Sequence, residues 1–266
     1  MEDRIVLAYD VGTQSSRALL INQRGEILAK SQVKHQEPYE SPNPDWAEKD
    51  ADFYYQNICQ ASQDLKKRYP EIFEKIEAAA ITTIRDTVVC VDWDGKPLRP
   101  AILWLDKRKA EGKPKFSQVT RMLFKAVGME ETANVQYQKS HCNWIRQNEP
   151  KVWEKTYKYL LLSGYLIFRL TGQMVDAAAS QVGHIPFDSQ SRNWQRKGAL
   201  TRPVFDVEEE KLCEIKESGE VLGTITAQAS EETGLPEGMK LIATGSDKAC
   251  EILGLGCVSR EKAAIG

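Results

Sequence analysis

The 266-residue sequence sets 36 lysines and arginines against 38 aspartates and glutamates, a formal net charge of −2, with 41% hydrophobic and 28% charged residues. This balance suits a globular chain with a sizeable core and supplies no basic field for a polyanion, so nucleic acid is excluded as a partner. Its six cysteines, Cys59, Cys90, Cys142, Cys213, Cys250 and Cys257, form no CxxC pair, which excludes a zinc or dithiol motif and leaves reduced thiols.

Residues 4–10, 16–22 and 26–34 read as strands, the second and third joined by the turn-forming QRGE, and their short links predict an antiparallel meander. PYESPNPDW interrupts, and Asp50 then opens an amphipathic helix to about Arg68 with Phe53, Tyr54, Ile58 and Leu65 on its apolar side. Residues 79–84 and 88–93 read as two further strands, with Asp94 and Gly95 as a turn. From about residue 110 to 195 the pattern is helical and less regular, with Pro150 and Gly172 as stops, and VEEEKLCEIKES reads as a solvated helix face. Residues 239–244 form a strand, GSD a tight turn and residues 248–255 a helix. This order predicts an α/β domain: a mixed sheet flanked by helices, with the helical middle as an insertion.

The hairpin YDVGTQSSRALLIN, residues 9–22, concentrates hydrogen-bonding groups at a tight strand connection. Gly12 lets the chain turn, so that backbone N–H groups and the Thr13, Ser15 and Ser16 hydroxyls can form a concavity of donors suited to phosphate oxygens. Asp10, at the end of a buried strand, is costly unless it has a partner, and a hydrated Mg²⁺ would be one. The alternative for this segment alone is a polar hairpin with a hydrogen-bonded aspartate at its edge. Neither GxxxxGK[ST] nor a GxGxxG opening a helix is present.

A strand, DxGTxSSR and a second antiparallel strand together resemble the phosphate hairpin of the actin-like ATPase superfamily, whose domains are RNase H-like. The whole sequence is most similar to the FGGY carbohydrate kinases. TTIRDTVVCVDWDGKPLRPAILWLDKR resembles their substrate-side strand pair, HCNWIRQNEPKVW and YLLLSGYLIFRLTG their helical insertion, and ATGSDKACEILGLG their GxD motif. The resemblance runs from about Arg4 to the last residue and implies an N-terminal, substrate- and phosphate-binding domain over residues 1–266, with a C-terminal ATP-binding domain as its partner.

That resemblance implies ATP-dependent phosphorylation of a polyol or ketose hydroxyl. ATP phosphates would lie on Asp10, Gly12, Thr13, Gln14, Ser15, Ser16 and Arg17, with Mg²⁺ held by Asp10 through water. Asp247 would be the general base. Arg85, Asp86, Trp104, Asp106, Tyr137 and Lys248 would line the acceptor site, with Asp106 and Arg108 also readable as loop braces and Trp104 as ordinary core. Glycerol kinases usually carry Glu where this chain has Asp86 and Gln where it has Lys248, and the GQMHG stretch of xylulokinases is absent, so the acceptor's identity stays open. His35, His141 and His184 are too dispersed for a metal triad and read as surface or core residues. No stretch approaches about 18 uninterrupted apolar residues and MEDRIVLAYD lacks a basic leader, so the expectation is a cytoplasmic protein without a membrane span. A homodimer, a non-catalytic nucleotide- or sugar-binding module and a phosphate-ester hydrolase are the competing readings of assembly and function.

Overall fold

The computed structural model describes residues 4–259 and 261–264. Strands β1 (Ile5–Val11), β2 (Ser15–Asn22) and β3 (Ile27–Lys34) pair antiparallel in sequence order, as the meander reading expects. Ile5, Leu7, Tyr9 and Val11 alternate into the core, where they meet Tyr54, Ile58 and Leu65 of helix α1 (Ala51–Arg68). The Asp50 carboxylate caps that helix by accepting from Asp52 N at 3.0 Å, which satisfies one orphan donor of the first turn. Lys66, Lys67 and Arg68 in the last turn complement the helix dipole.

Helix α1 and the single turn α2 (Pro70–Phe73) carry the chain across the sheet to β5 (Ile76–Thr83), which pairs parallel with β1. Strand β14 (Lys240–Ile242) pairs parallel with β5, and β13 (Val221–Thr224) closes the edge antiparallel, giving the order β13-β14-β5-β1-β2-β3. Helices α8 (Ala227–Thr233) and α7 (Leu162–Thr171) pack with α1 on one side of this sheet, and α9 (Asp247–Gly254) follows β14 directly. The three central strands β1, β5 and β14 therefore run the same way and end at one edge.

A second sheet, β4 (Glu48–Lys49), β7 (Ala101–Ile102), β6 (Val88–Val91) and β8 (Lys158–Leu161), stands beside the first with its own core around Ile102, Ile145 and Tyr159. Helices α3 (Gln118–Ala126), α4 (Glu130–Lys139), α5 (His141–Asn148) and α6 (Pro150–Lys155) form the inserted region. Two short pairings complete it: β9 (Val175–Ala177) parallel with β12 (Glu214–Lys216), and the hairpin β10 (Phe187–Asp188) with β11 (Asn193–Trp194).

The middle is thus less purely helical than the sequence pattern suggests. Tyr159, Leu160 and Leu161 are all buried in β8, and a short continuous apolar run has no periodicity to separate strand from helix. VEEEKLCEIKES is no helix: only Glu209–Lys211 makes a 3-10 turn, Leu212 and Cys213 are buried, and Glu214–Lys216 joins β9 as a strand. Pro150 does not merely stop α5; it occupies the first turn of α6, where its missing N–H leaves nothing unsatisfied. Gly172 closes α7 as expected, in the left-handed conformation at φ 71°.

Asp176 in β9 is fully buried, accepting from Ser163 Oγ at 2.6 Å and Ala177 N at 2.8 Å. Burial pushes its carboxyl up to about 6, against the lowering effect of those hydrogen bonds. A raised carboxyl binds its proton more tightly folded than unfolded, so its contribution favours folding at low pH and is lost as pH rises from about 4 to about 6. Asp176→Asn should therefore become more favourable relative to wild type, by about 2–3 kcal/mol, between pH 4 and pH 7. Urea denaturation of both proteins at the two pH values measures this; a pH-independent difference would contradict it.

Candidate active site

The shared edge of β1, β5 and β14 collects three connections. In the β1–β5 register Asp10 lies opposite Thr82, and Ile84 N donates to Val11 O at 2.9 Å. Thr82 Oγ1 donates to Gly245 O at 2.8 Å, and Thr244 Oγ1 to Ile81 O at 2.6 Å, fastening the β14 connection to β5. The carboxyl ends of parallel strands are where open α/β sheets bind ligands, because the backbone there turns away and leaves a crevice.

Asp247 is the first residue of α9, and Ser246, not Asp247, is its N-cap. The Asp247 carboxylate accepts from Lys248 N at 2.7 Å, and its Oδ1 lies 3.5 Å from Arg85 Nε, with the two side chains 25% and 43% exposed. The carboxylate thus sits at a helix N-terminus with a guanidinium beside it. The Lys248 ammonium turns to Glu251 at 2.7 Å rather than to Asp247.

The β1–β2 hairpin is more internally bonded than the sequence suggests. Gly12 N donates to Ser15 O at 2.9 Å, which makes the turn and occupies that N–H. Ser16 is fully buried, its hydroxyl 3.0 Å from His35 Nε2, while His35 Nδ1 lies 2.9 Å from Thr13 O. A carbonyl can only accept, so Nδ1 carries the ring proton and Ser16 donates to Nε2. Ser16 is thus a strut of the hairpin and not a phosphate donor. Burial holds the His35 imidazole below its ordinary range. Arg17 Nη1 donates to Asp10 Oδ2 at 2.6 Å, so the strand-end carboxylate already has a partner. Among the described residues the N–H groups of Thr13 and Gln14 donate to nothing, which leaves two successive donors at the tip.

On the opposite side, Trp104 reaches across from the second sheet and donates from Nε1 to Thr13 Oγ1 at 3.0 Å. It is 54% exposed, so it is a wall and not core. Asp106 does not offer its carboxylate to a ligand: the side chain is sealed from solvent, accepting from Ala47 N at 2.6 Å and from Arg108 Nε and Nη2 at 2.8 and 2.7 Å. Arg108 stacks between Trp46 and Trp144, at 3.9 and 4.6 Å, and also meets Glu48 at 2.8 Å. Both residues brace the loop that carries Trp104.

Arg85 and Asp86 do not pair with each other. Asp86 sits at φ 49°, a left-handed conformation that turns its carboxylate away from Arg85 and into a cavity of about 370 Å³. There it accepts from His184 N at 2.9 Å and from His184 Nδ1 at 2.5 Å. Burial alone would raise Asp86, but the His184 bonds and nearby His141 bring it below the ordinary carboxylate range. Trp104, His141, His184 and Lys139 line the same cavity. Tyr137 does not: it lines a separate cavity of about 670 Å³ with Arg146 and Arg202, and its hydroxyl accepts from Gln147 at 3.3 Å. His35 thus braces the hairpin while His141 and His184 line the cavity, and no local motif marks any of the three.

Among the described residues no group of three or more His, Cys, Asp or Glu side chains could hold a metal, and no helix is long and apolar enough to cross a membrane. The same architecture is found in solved sugar kinases. The xylulose kinase of Rhodospirillum rubrum superposes with a TM-score of 0.78 over 95% of this chain and 52% of its own, at 24% identity. A Plasmodium falciparum glycerol kinase solved with ADP gives 0.75 over 96% and 50%, at 20% identity. The sequence matches the model of the FGGY family of carbohydrate kinases, N-terminal domain, over residues 5–254, and the chain belongs to that family. It is 29% identical to an uncharacterized sugar kinase of Escherichia coli K12 over 100% of this chain and 46% of that protein. It is 30% identical to a glycerol kinase of Thermococcus onnurineus over 83% and 44%. The chain spans about half the length of the curated relatives it matches.

Gly183 touches the Asp86 side chain so closely that a Cβ there would overlap Asp86 Oδ1. Gly183→Ala should break the Asp86–His184 arrangement and cost about 1–3 kcal/mol of stability. Chemical denaturation together with the His184 ring nitrogen shifts checks this; unchanged stability with unchanged ring shifts would contradict the packing described.

Proposed function

We propose that this chain is the acceptor- and phosphate-binding half of an ATP-dependent kinase that phosphorylates a hydroxyl of a polyol or ketose. The observation that carries the reading is the convergence of the Asp10 hairpin, Arg85 and Asp247 on one sheet edge, with Arg85 3.5 Å from Asp247. Asp247 takes the proton of the acceptor hydroxyl as that oxygen bonds the terminal phosphorus of ATP and the bridging oxygen leaves with ADP. Arg85 holds the Asp247 carboxylate in place and lends positive charge to the developing phosphoryl group.

The unpaired Thr13 and Gln14 N–H groups fit phosphate oxygens, and the exposed rim of Asp10 fits a hydrated divalent ion, which needs only one or two carboxylates. Magnesium held there through water would neutralise phosphate charge. A second domain, which the length of the relatives suggests, would supply the remaining ATP contacts and cover α9. That helix buries none of its residues and exposes Ile252 and Leu253.

In a coupled ADP-release assay on the complete polypeptide carrying this domain, with polyols, pentuloses and hexuloses as acceptors, Asp247→Asn should lower kcat by about 10²–10⁴-fold. The 266-residue chain alone should turn over little or not at all, because closure excludes water and completes the ATP site. Turnover that survives Asp247→Asn would remove the base assignment. No turnover on any acceptor, with nucleotide still bound, would favour a regulatory binding module.

A further inference from the structure

Two imidazoles line the acceptor cavity with ring nitrogens that the fold does not use. His141, on the first turn of α5, is 3% exposed, and neither of its nitrogens has a hydrogen-bond partner among the described residues. Its Nδ1 is sealed from solvent. A buried lone pair without a partner costs less than a buried N–H without one, so the ring proton belongs on Nε2, the nitrogen that keeps solvent contact. Burial draws His141 down to about 4, against the attraction of Asp86 and Asp106, so the ring is neutral and Nε2–H is a plain donor.

His184 has the opposite polarity. The Asp86 carboxylate can only accept, so the 2.5 Å bond places a proton on Nδ1, and in the neutral ring Nε2 is then an acceptor, with no partner among the described residues. Gly183 and the left-handed Asp86 fix this geometry, which is an expensive arrangement to keep for packing alone.

We propose that His141 and His184 are specificity-determining residues that read hydroxyl groups on the acceptor's carbon chain other than the one facing Asp247, His141 by donating from Nε2 and His184 by accepting at Nε2. The inference rests on the kinase reading above. A hydroxyl suits the pair because it both donates and accepts, whereas a carboxylate would face the His184 lone pair with Asp86 behind it. Of the lysines that line the cavity, Lys107 is paired with Asp45 at 3.0 Å, whereas Lys109 and Lys139 add positive charge there, so an anionic acceptor belongs in the test panel. Asp86 then acts as a positioning residue, through His184.

The test uses the complete polypeptide with glycerol, D-xylulose, D-ribulose and D-gluconate. His184→Asn, which keeps a donor toward Asp86 and loses the acceptor, and His141→Phe should each raise acceptor KM by about tenfold or more, with kcat changed less than about threefold and ATP KM unchanged. His141→Gln, which keeps a donor near Nε2, should restore most of the affinity. Unchanged acceptor KM in an enzyme that turns over, or a rise confined to D-gluconate, would overturn the inference and leave the kinase reading standing. If no acceptor turns over, the kinase reading fails, and ring ¹⁵N shifts of the 266-residue chain titrated with the same compounds decide the rest. Shifts at His141 and His184 but not His35 would support hydroxyl recognition, and no shift would overturn it.

Discussion

The parallel pairing of Ile5–Val11 with Ile76–Thr83, and of Ile76–Thr83 with Lys240–Ile242, is the constraint on which the site depends. A parallel pair cannot be joined by a tight turn, so each strand is reached through a crossover and each ends at the same edge. Three segments far apart in sequence, around residues 10, 85 and 247, are thereby delivered to one crevice without any direct sequence signal linking them. Thr82 and Thr244 lock the delivery, Thr82 donating its hydroxyl to Gly245 O in the connection after Lys240–Ile242 and Thr244 donating to Ile81 O within Ile76–Thr83.

The second sheet does different work. Its buried cluster of Arg108, Asp106, Glu48 and Arg99, sandwiched by Trp46 and Trp144, stiffens the loop from which Trp104 reaches Thr13. Charges held this deeply are tolerated because each carboxylate has a guanidinium partner, and removing one partner would strand the other. The consequence is a wall facing the hairpin tip, which under the proposed kinase reading would give the crevice a phosphate side on the main sheet and an acceptor side on the second.

Much of this was legible in the sequence. The meander, the capped helix from Asp50, the late strand, turn and helix, and the family all follow from local turn chemistry, apolar periodicity and ordered motifs. What periodicity cannot see is partnership. Tyr159 to Leu161 is a continuous apolar run whose strand character depends on pairing with Val88–Val91, and Glu214–Lys216 becomes a strand only by meeting Val175–Ala177. In the site, the adjacency of Arg85 and Asp86 suggests a pair, but the left-handed backbone at Asp86 sends them to Asp247 and His184 respectively. His184 is 98 residues from Asp86 and His35 is 19 from Ser16, so neither contact leaves a spacing to read. Asp106 and Ser16 illustrate the converse: residue types suited to ligands that the fold uses internally.

We place acceptor recognition at the shared strand edge and the adjoining cavity of about 370 Å³, and not at the larger cavity beside Tyr137. Backbone amide shifts of the chain titrated with D-xylulose and with glycerol test this most directly. Perturbations confined to the segments around Thr13, Asp86, Trp104, His184 and Asp247 are the predicted result. Perturbations centred on Tyr137, Arg146 and Arg202, with the strand edge unaffected, would contradict it.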